Sequence, residues 1–480
     1  MADADLKDRA RKALIEGVPY DLFEAATADR SARGTFPQAP AEHLDWWRAG
    51  RVGLFVHWNF SCVRPCMISW AMGFGGVMPA EYYALAETFH PTRFDARAWA
   101  RLIKDSGFSH LLFVVKHHDG FAMWDTRQSD WKITHTPFGR DIWRELTAAC
   151  HEVGLPIGAY YSPADWRHPA ARRADWPGYL RFMRGQWREL FREYGRLDTF
   201  ECDYWQDFGP QEDWEGLYRE LRQFQPRVLF SRNTAWAEGD FEVHEWGFGP
   251  LTYDRMPPGP PPNRWSRMPD TAPWQTLMSV DGRGWWSYNP DPCMGFETMM
   301  AWVLTSAVND GNILINFTPG PTGEFPEDQV ALMGRFGQWM RTYGDSVRGT
   351  RGGPYRPVYA FEGLGQDRPD AAPVMLKAHR GQASYVPRIG STRKGNRVYL
   401  HVLSDPPGGR MTLPTPGLRL RAARLLNDDR PVGLAWQAER AVLDLPPRGR
   451  EFDMVVMLDF DGSVMDAEPI EMALTMEAGR

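Results

Sequence analysis

Five places in the chain gather side chains able to bind or attack a polar small molecule. They read His57-Trp58, Lys116-His117-His118-Asp119-Gly120, Tyr160-Tyr161-Ser162, Glu201-Cys202-Asp203-Tyr204-Trp205 and Ser231-Arg232-Asn233. Each closes a short apolar run that reads as a β-strand. A buried polar group left without a partner costs about 1–3 kcal/mol, so a core that merely packs does not spend so many at successive strand ends. A neutral imidazole offers one donor and one acceptor, and a carboxylate offers acceptors and a nucleophilic oxygen. Together they suit a ligand bearing many hydroxyls. The His-His-Asp run also has the residue types of a metal site. Adjacent residues on a strand face opposite sides, however, so His117 and His118 reach one ion only where the strand has already become a loop. No metal and no cofactor is therefore expected.

The elements that carry these residues alternate between residues 50 and 345. Strand-like runs at Gly53–Trp58, His110–Lys116, Pro156–Ser162, Thr199–Tyr204, Arg227–Ser231, Thr276–Val280 and Asn312–Thr318 are separated by helical patterns. The helices are predicted over Asp95–Ser106, Arg140–Glu152, Tyr179–Tyr194, Trp214–Gln223, Phe296–Val308 and Asp328–Tyr343, where apolar residues recur every three or four positions. Strands and helices alternating over some 300 residues predict an α/β fold, a (β/α) TIM-like barrel, whose reactive groups stand at the C-terminal strand ends. An open doubly wound sheet fits less well, because no glycine-rich phosphate loop follows the first strand. Beyond Gly349–Pro354 the runs become short and alternating between Pro and Gly turns, which predicts a C-terminal antiparallel β-sandwich. The resulting division is an N-terminal extension over 1–43, a catalytic barrel over 44–350 and a sandwich over 351–480. Pro257–Pro262 cannot be helix or central strand and reads as a stiff loop near the barrel rim.

With 480 residues, 43% hydrophobic and 24% charged, the chain has ordinary globular composition. Lys and Arg number 55 against 61 Asp and Glu, a net charge of −6 without clustered basic residues, so nucleic acid is not an expected partner. The 22 Trp are unusual, and aromatic faces pack well against sugar rings, although they also build cores. The opening residues are charged, with no apolar signal segment, and no run is long enough to span a membrane. Five cysteines, an odd and thinly spread set, fit reduced thiols. Cytoplasmic location is the expectation, with an exported form as the alternative, and no membrane partner.

Longer segments carry a resemblance. GLFVHW, EYYALAETFHPTRFDARAWARLIKDSGFSHLLFVVKHHDGFAMWDT, PFGRDIWRELTAACHEVGLPIGAYYSPADW, YGRLDTFECD, DGNILINFTPGPTGEFPEDQ and YGDSVRGTRGGP resemble the α-L-fucosidases of glycoside hydrolase family 29, over roughly residues 44–460. The resemblance implies a (β/α) barrel followed by a β-sandwich, and retaining hydrolysis of a terminal α-L-fucoside or related α-L-sugar by two carboxylates. It makes Asp203 the nucleophile that forms a glycosyl-enzyme intermediate. It assigns His57, His117 and His118 to the sugar hydroxyls, Trp70 to an aromatic wall, and one tyrosine of Tyr160-Tyr161 to a further contact. Arg232 falls to the pocket as well. Trp58, Trp205 and Gln275 complete the expected substrate contacts. Some relatives form oligomers, so a homo-oligomer is a possible assembly.

Departures from the family pattern accompany the match. The family's Glu-Trp pair after the first strand reads Ser69-Trp70. The tryptophan two residues before the nucleophile is Glu201, which places a second carboxylate on the same strand face. The Trp-Glu that often supplies the acid/base appears as Trp274-Gln275, and an amide has no proton to give a leaving group. The acid/base is therefore sought in AWAEGDFEVHEW, at Glu245 or Glu238, with Glu201 as the alternative because close like charges raise one pKa. Glu242 reads as a solvated loop charge. Two alternatives stay open: a catalytically impaired sugar-binding protein on the same scaffold, and a hydrolase for a sugar other than fucose.

Overall fold

The computed structural model describes residues 36–73, 75–168, 176–203, 214–233, 239–245, 273–284, 286–359, 375–376, 384–385, 387–470 and 472. Eight parallel strands form its main sheet: β1 (Val52–Val56), β2 (Leu111–Lys116), β3 (Ile157–Tyr161), β4 (Thr199–Asp203), β5 (Leu229–Asn233), β6 (Glu242–Glu245), β7 (Trp274–Ser279) and β8 (Asn312–Phe317). Their order is β5-β4-β3-β2-β1-β8-β7-β6, and β5 contacts β6, so the sheet curls into a barrel with one looser seam. Most of the strands are buried on both faces, in keeping with near-continuous apolar sequence. Phe55, Leu112, Val114, Tyr160, Leu229, Val243, Leu277 and Leu314 fill the interior as one cluster. The alternate residues, among them Leu54, Phe113, Ile157, Phe200 and Phe230, pack outward beneath the helices.

Those helices are α1 (Asp45–Gly50), α2 (Pro79–Ala84), α3 (Ala96–Asp105), α4 (Ile142–Val153), α5 (Trp176–Glu193), α6 (Trp214–Phe224), α7 (Phe296–Val308) and α8 (Glu327–Tyr343). Local chemistry sets their ends. Asp95 accepts from the backbone N–H of Arg97 and Ala98 at the start of α3, and Asp141 from that of Arg144 at the start of α4. Gly154 ends α4 at φ 66°, a left-handed conformation that glycine takes without strain.

The seven strands visible in the sequence leave β6 out. Its sequence, EVHE, holds one aliphatic residue and no apolar run. Glu242 and Glu245 are thus strand residues rather than loop charges. Glu242 is buried, with Oε2 2.9 Å from His244 Nε2.

After the barrel come antiparallel sheets. One contains Arg351–Gly352, Val358–Tyr359, Pro387–Lys394, Arg397–Val402, Leu420–Leu425 and Met454–Phe460, and a second contains Arg410–Pro414, Gly433–Gln437 and Arg440–Asp444. Ile389, Leu400, Met411, Leu443 and Val456 share the core between them, a sandwich arrangement.

An ion-pair cluster joins barrel and sandwich. Buried Arg51 donates to Asp310 Oδ1 at 2.6 Å and to the carbonyls of Gly311 and Thr350, while Arg351 clasps the same carboxylate. Burial pushes the Asp310 carboxyl up, but Arg51 and Arg351 outweigh it and hold it well below the ordinary carboxylate range. Its folded pKa lies below the unfolded one, so its contribution is present at neutral pH and disappears as the pH falls through and below that range. Asp310→Asn is expected to cost about 3 kcal/mol at pH 7, where it strands Arg51. Denaturant titration at pH 7 and pH 3 checks this: the gap between wild type and variant should shrink at the lower pH.

Candidate active site

The turn after β2 sets the geometry of the site. β2 ends at Lys116, so His117 and His118 lie beyond the ladder in a turn and are not bound to opposite faces. The condition under which both can reach one point is thus met: each offers a ligand atom within 4.8 Å of the other and of the Asp203 carboxylate. The turn requires Gly120, at φ 76°, where a Cβ would strike the Asp165 carboxylate. Buried Lys116 fixes the neighbouring loop by donating to the carbonyls of Ser162 and Ala164, at 2.9 and 3.3 Å, and pairing with Asp165 at 3.3 Å.

Asp203 is the last residue of β4. Inward-facing Tyr160 donates its phenol proton to Asp203 Oδ2, and His118 Nε2 stands 3.6 Å from the same oxygen. The His117 ring lies nearly parallel to Tyr160, with centroids 5.8 Å apart, and His57 is 5.7 Å from His117. Trp70 meets His118 edge-on at 5.4 Å, and Trp166 packs on both. Trp286 lies 5.1 Å from His57. His57, Trp70, His117, His118, Tyr160 and Asp203 thus come together, with Trp166 and Trp286 as walls that strand-end reading did not single out.

Hydrogen bonds behind the histidines assign their tautomers. Ser69 Oγ donates to Asp119 Oδ2 and accepts from the Asp119 N–H, so its contact with His117 Nδ1, at 2.7 Å, uses a proton on that nitrogen. Asn316 Oδ1 accepts from His57 Nδ1 at 2.8 Å, and its amide nitrogen is fixed by Ser279, which in turn donates to Asp281. Ser162 Oγ donates to Ala164 and accepts from His118 Nδ1 at 2.5 Å. All three rings therefore hold Nδ1 protons and carry their lone pairs on Nε2. Asp119 anchors this layer from behind, accepting from Asn59, Ser69 and Tyr82.

Ser69 is therefore a hub and not simply a lost carboxylate, and it is held at φ 52° to serve as one. Ser69→Ala removes the partner that sets the His117 tautomer. It is expected to lower kcat/KM about 10-fold, the worth of one buried hydrogen bond of about 1–2 kcal/mol, read by steady-state kinetics on an aryl glycoside.

Burial dominates the electrostatics. It pushes His57 down to about 3, with the Asn316 bond opposing, and His110 to about 4. His117 and His118 are driven well below the usual imidazole range by burial first and by neighbouring positive groups second. Folded pKa values below the unfolded 6.5 mean that the unfolded chain binds protons first as the pH drops. Stability is expected to be full above about 6.5 and to decline from there towards pH 4. Calorimetric melting across pH 4–7.5 reads this out. A flat melting temperature from 7 to 5 would contradict the neutral assignment.

Four expected contacts are placed elsewhere, each for reasons of strand alternation or level. Trp58 packs on Phe89, Phe94 and Trp99 and donates to the Gly320 carbonyl, outside the barrel. Tyr161 also points outward, donating to Gln186 at 2.6 Å, so Tyr160 is the tyrosine of the hollow. Arg232 pairs in register with outward Cys202, and its guanidinium lies over Phe36 and Tyr218. Asn233, in register with Asp203, takes the inward position instead. Gln275 sits at the opening of β7, at the far end of the barrel, accepting from Trp47 Nε1 at 3.2 Å. It therefore lies away from the strand ends that carry His117, His118 and Asp203. Glu201 faces inward one step deeper than Asp203, with Oε2 3.3 Å from Ser231 Oγ. Glu245 closes β6 in register with interior Leu277, though its side chain is outside the described residues. Trp205 and Glu238 also lie outside them.

Imidazole Nε2 atoms able to accept from hydroxyls, beside aromatic faces that accept C–H groups, fit the two kinds of surface a pyranose presents. At the C-terminal mouth of a (β/α) barrel, with a buried carboxylate between them, they define a glycosidase. The α-L-fucosidase family model matches residues 24–345. An α-L-fucosidase of Branchiostoma floridae is 23% identical over 421 residues, covering 77% of this chain and 81% of that protein. Among solved structures, α-L-fucosidase isoenzyme 1 from Paenibacillus thiaminolyticus superposes with a TM-score of 0.69 at 26% identity, covering 88% of this chain and 99% of that one. An α-L-fucosidase from Bacteroides thetaiotaomicron, trapped as a covalent intermediate with 2-fluoro-fucosyl fluoride, gives 0.70 at 20% identity, with 88% and 97% covered. This chain belongs to the α-L-fucosidase family.

Proposed function

We propose that the protein hydrolyses a terminal α-L-fucoside with retention, using Asp203 as nucleophile and Glu245 as acid/base. The observation that carries the reading is Asp203, a buried carboxylate at the end of β4, held by the Tyr160 hydroxyl and faced by His118 at 3.6 Å. One oxygen of Asp203 attacks the anomeric carbon as the bond to the leaving oxygen breaks, while Glu245 gives that oxygen a proton. Glu245 then takes a proton from water, which displaces Asp203 and restores the original anomer. The Nε2 atoms of His57, His117 and His118 accept hydrogen bonds from ring hydroxyls and orient C1 towards Asp203. Glu245 is favoured by position: it is the last residue of its strand, at the mouth, whereas Glu201 lies a step deeper.

Proton NMR of a fresh digest of 4-nitrophenyl α-L-fucoside tests the reading. α-L-Fucose as the first product supports it, and β-L-fucose contradicts it. One observation favours a second sugar. Ser69 is committed to Asp119 and His117, so no carboxylate meets the ring at that position. A panel of aryl α-L-glycosides separates the two, with fucoside expected to give the highest kcat/KM.

A further inference from the structure

We propose that the hollow formed by His117, His118 and Asp203 takes up one divalent transition-metal ion of the zinc, nickel or copper kind when no sugar fills it. The ion would then act as a chelator-reversible inhibitor competing with the sugar. The competition rests on the function proposed above; the uptake does not.

Geometry supplies the first argument. Two imidazoles and a carboxylate, all buried, offer ligand atoms within 4.8 Å of one another, the donor set of a two-histidine, one-carboxylate centre. His118 Nε2 and Asp203 Oδ2 face each other at 3.6 Å, and an ion bound by both would take the space into which a sugar hydroxyl would reach.

The layer behind the ligands supplies the second. Metal-binding histidines characteristically donate their other ring N–H to a fixed acceptor, which sets the tautomer and aims the lone pair. Here His117 donates to Ser69, itself tied to Asp119, and His118 donates to Ser162, itself tied to the Ala164 carbonyl. His57 borders the same hollow and is likewise held by Asn316. Imidazole donors select borderline transition ions, whereas Mg²⁺ and Ca²⁺ prefer oxygen shells, and two of the three donors among the described residues are nitrogens.

Calorimetric titration of the metal-stripped full chain with ZnCl₂, in a non-coordinating buffer, tests the proposal without recourse to activity. One tight site per chain is expected, weakened about 10-fold or more in His117→Gln, His118→Gln and Asp203→Asn. It should be unchanged in His135→Gln, which alters a half-exposed surface histidine. Asp203→Asn is isosteric and decides the matter if a histidine variant fails to fold. Absence of a saturable site, or a site untouched by all three substitutions, overturns the proposal. L-Fucose in excess should abolish the uptake. Uptake indifferent to fucose overturns the shared hollow, whereas failure to hydrolyse any fucoside while the zinc site persists refutes the functional reading alone.

Discussion

Asp203→Gly is expected to lower kcat on 4-nitrophenyl α-L-fucoside by on the order of 10³-fold or more, because it removes the carboxylate proposed to bond to C1. Added azide should restore turnover and yield β-L-fucosyl azide: the small anion enters the space left by the carboxylate and displaces the leaving group once, with inversion. Asp203→Asn should lose activity to a similar extent and melt close to the wild type, since its amide oxygen still accepts from Tyr160. Wild-type turnover in either variant would assign the nucleophile to another residue.

Glu245→Gly carries the second large effect. Loss of general acid help is worth about 10²–10⁴ in rate, and it should fall on substrates whose leaving groups need a proton. Kinetics with a poor leaving group, such as an alkyl fucoside, should show the full loss in kcat/KM, and 4-nitrophenyl fucoside much less. Azide should rescue this variant with the opposite stereochemistry, giving α-L-fucosyl azide, because it attacks a glycosyl-enzyme already inverted once. The same pattern in Glu201→Gly instead would move the role to the deeper carboxylate.

The architecture was largely legible because it rests on local pattern. Runs such as Leu111–Lys116 and Asn312–Phe317 are apolar enough to declare buried parallel strands, and Asp95, Asp141 and Gly154 punctuate the helices between them. β6 escaped because a four-residue strand reading EVHE can be recognised only by its neighbours. At the site, residue type identified the strand ends, but facing depends on register. Cys202 and Arg232 point out while Asp203 and Asn233 point in, and Tyr160 is separated from Tyr161 by the same alternation. His117 and His118 can cooperate because β2 stops at Lys116, before either of them, and the turn that brings them together is not written in the apolar pattern. The hydrogen-bond layer behind them joins Ser69 to Asp119 and Asn316 to Ser279 across 50 and 37 residues of chain, separations that no local pattern encodes.

Peptide mass analysis after inactivation with 2-fluoro-fucosyl fluoride tests the central claim most directly. The fluorine slows breakdown of the glycosyl-enzyme, so fluoride leaves and the sugar remains on the attacking side chain. One fluorofucosyl group per chain, on Asp203, is the predicted result. A label on any other side chain, or turnover of the reagent with release of the inverted sugar and no label, would contradict it.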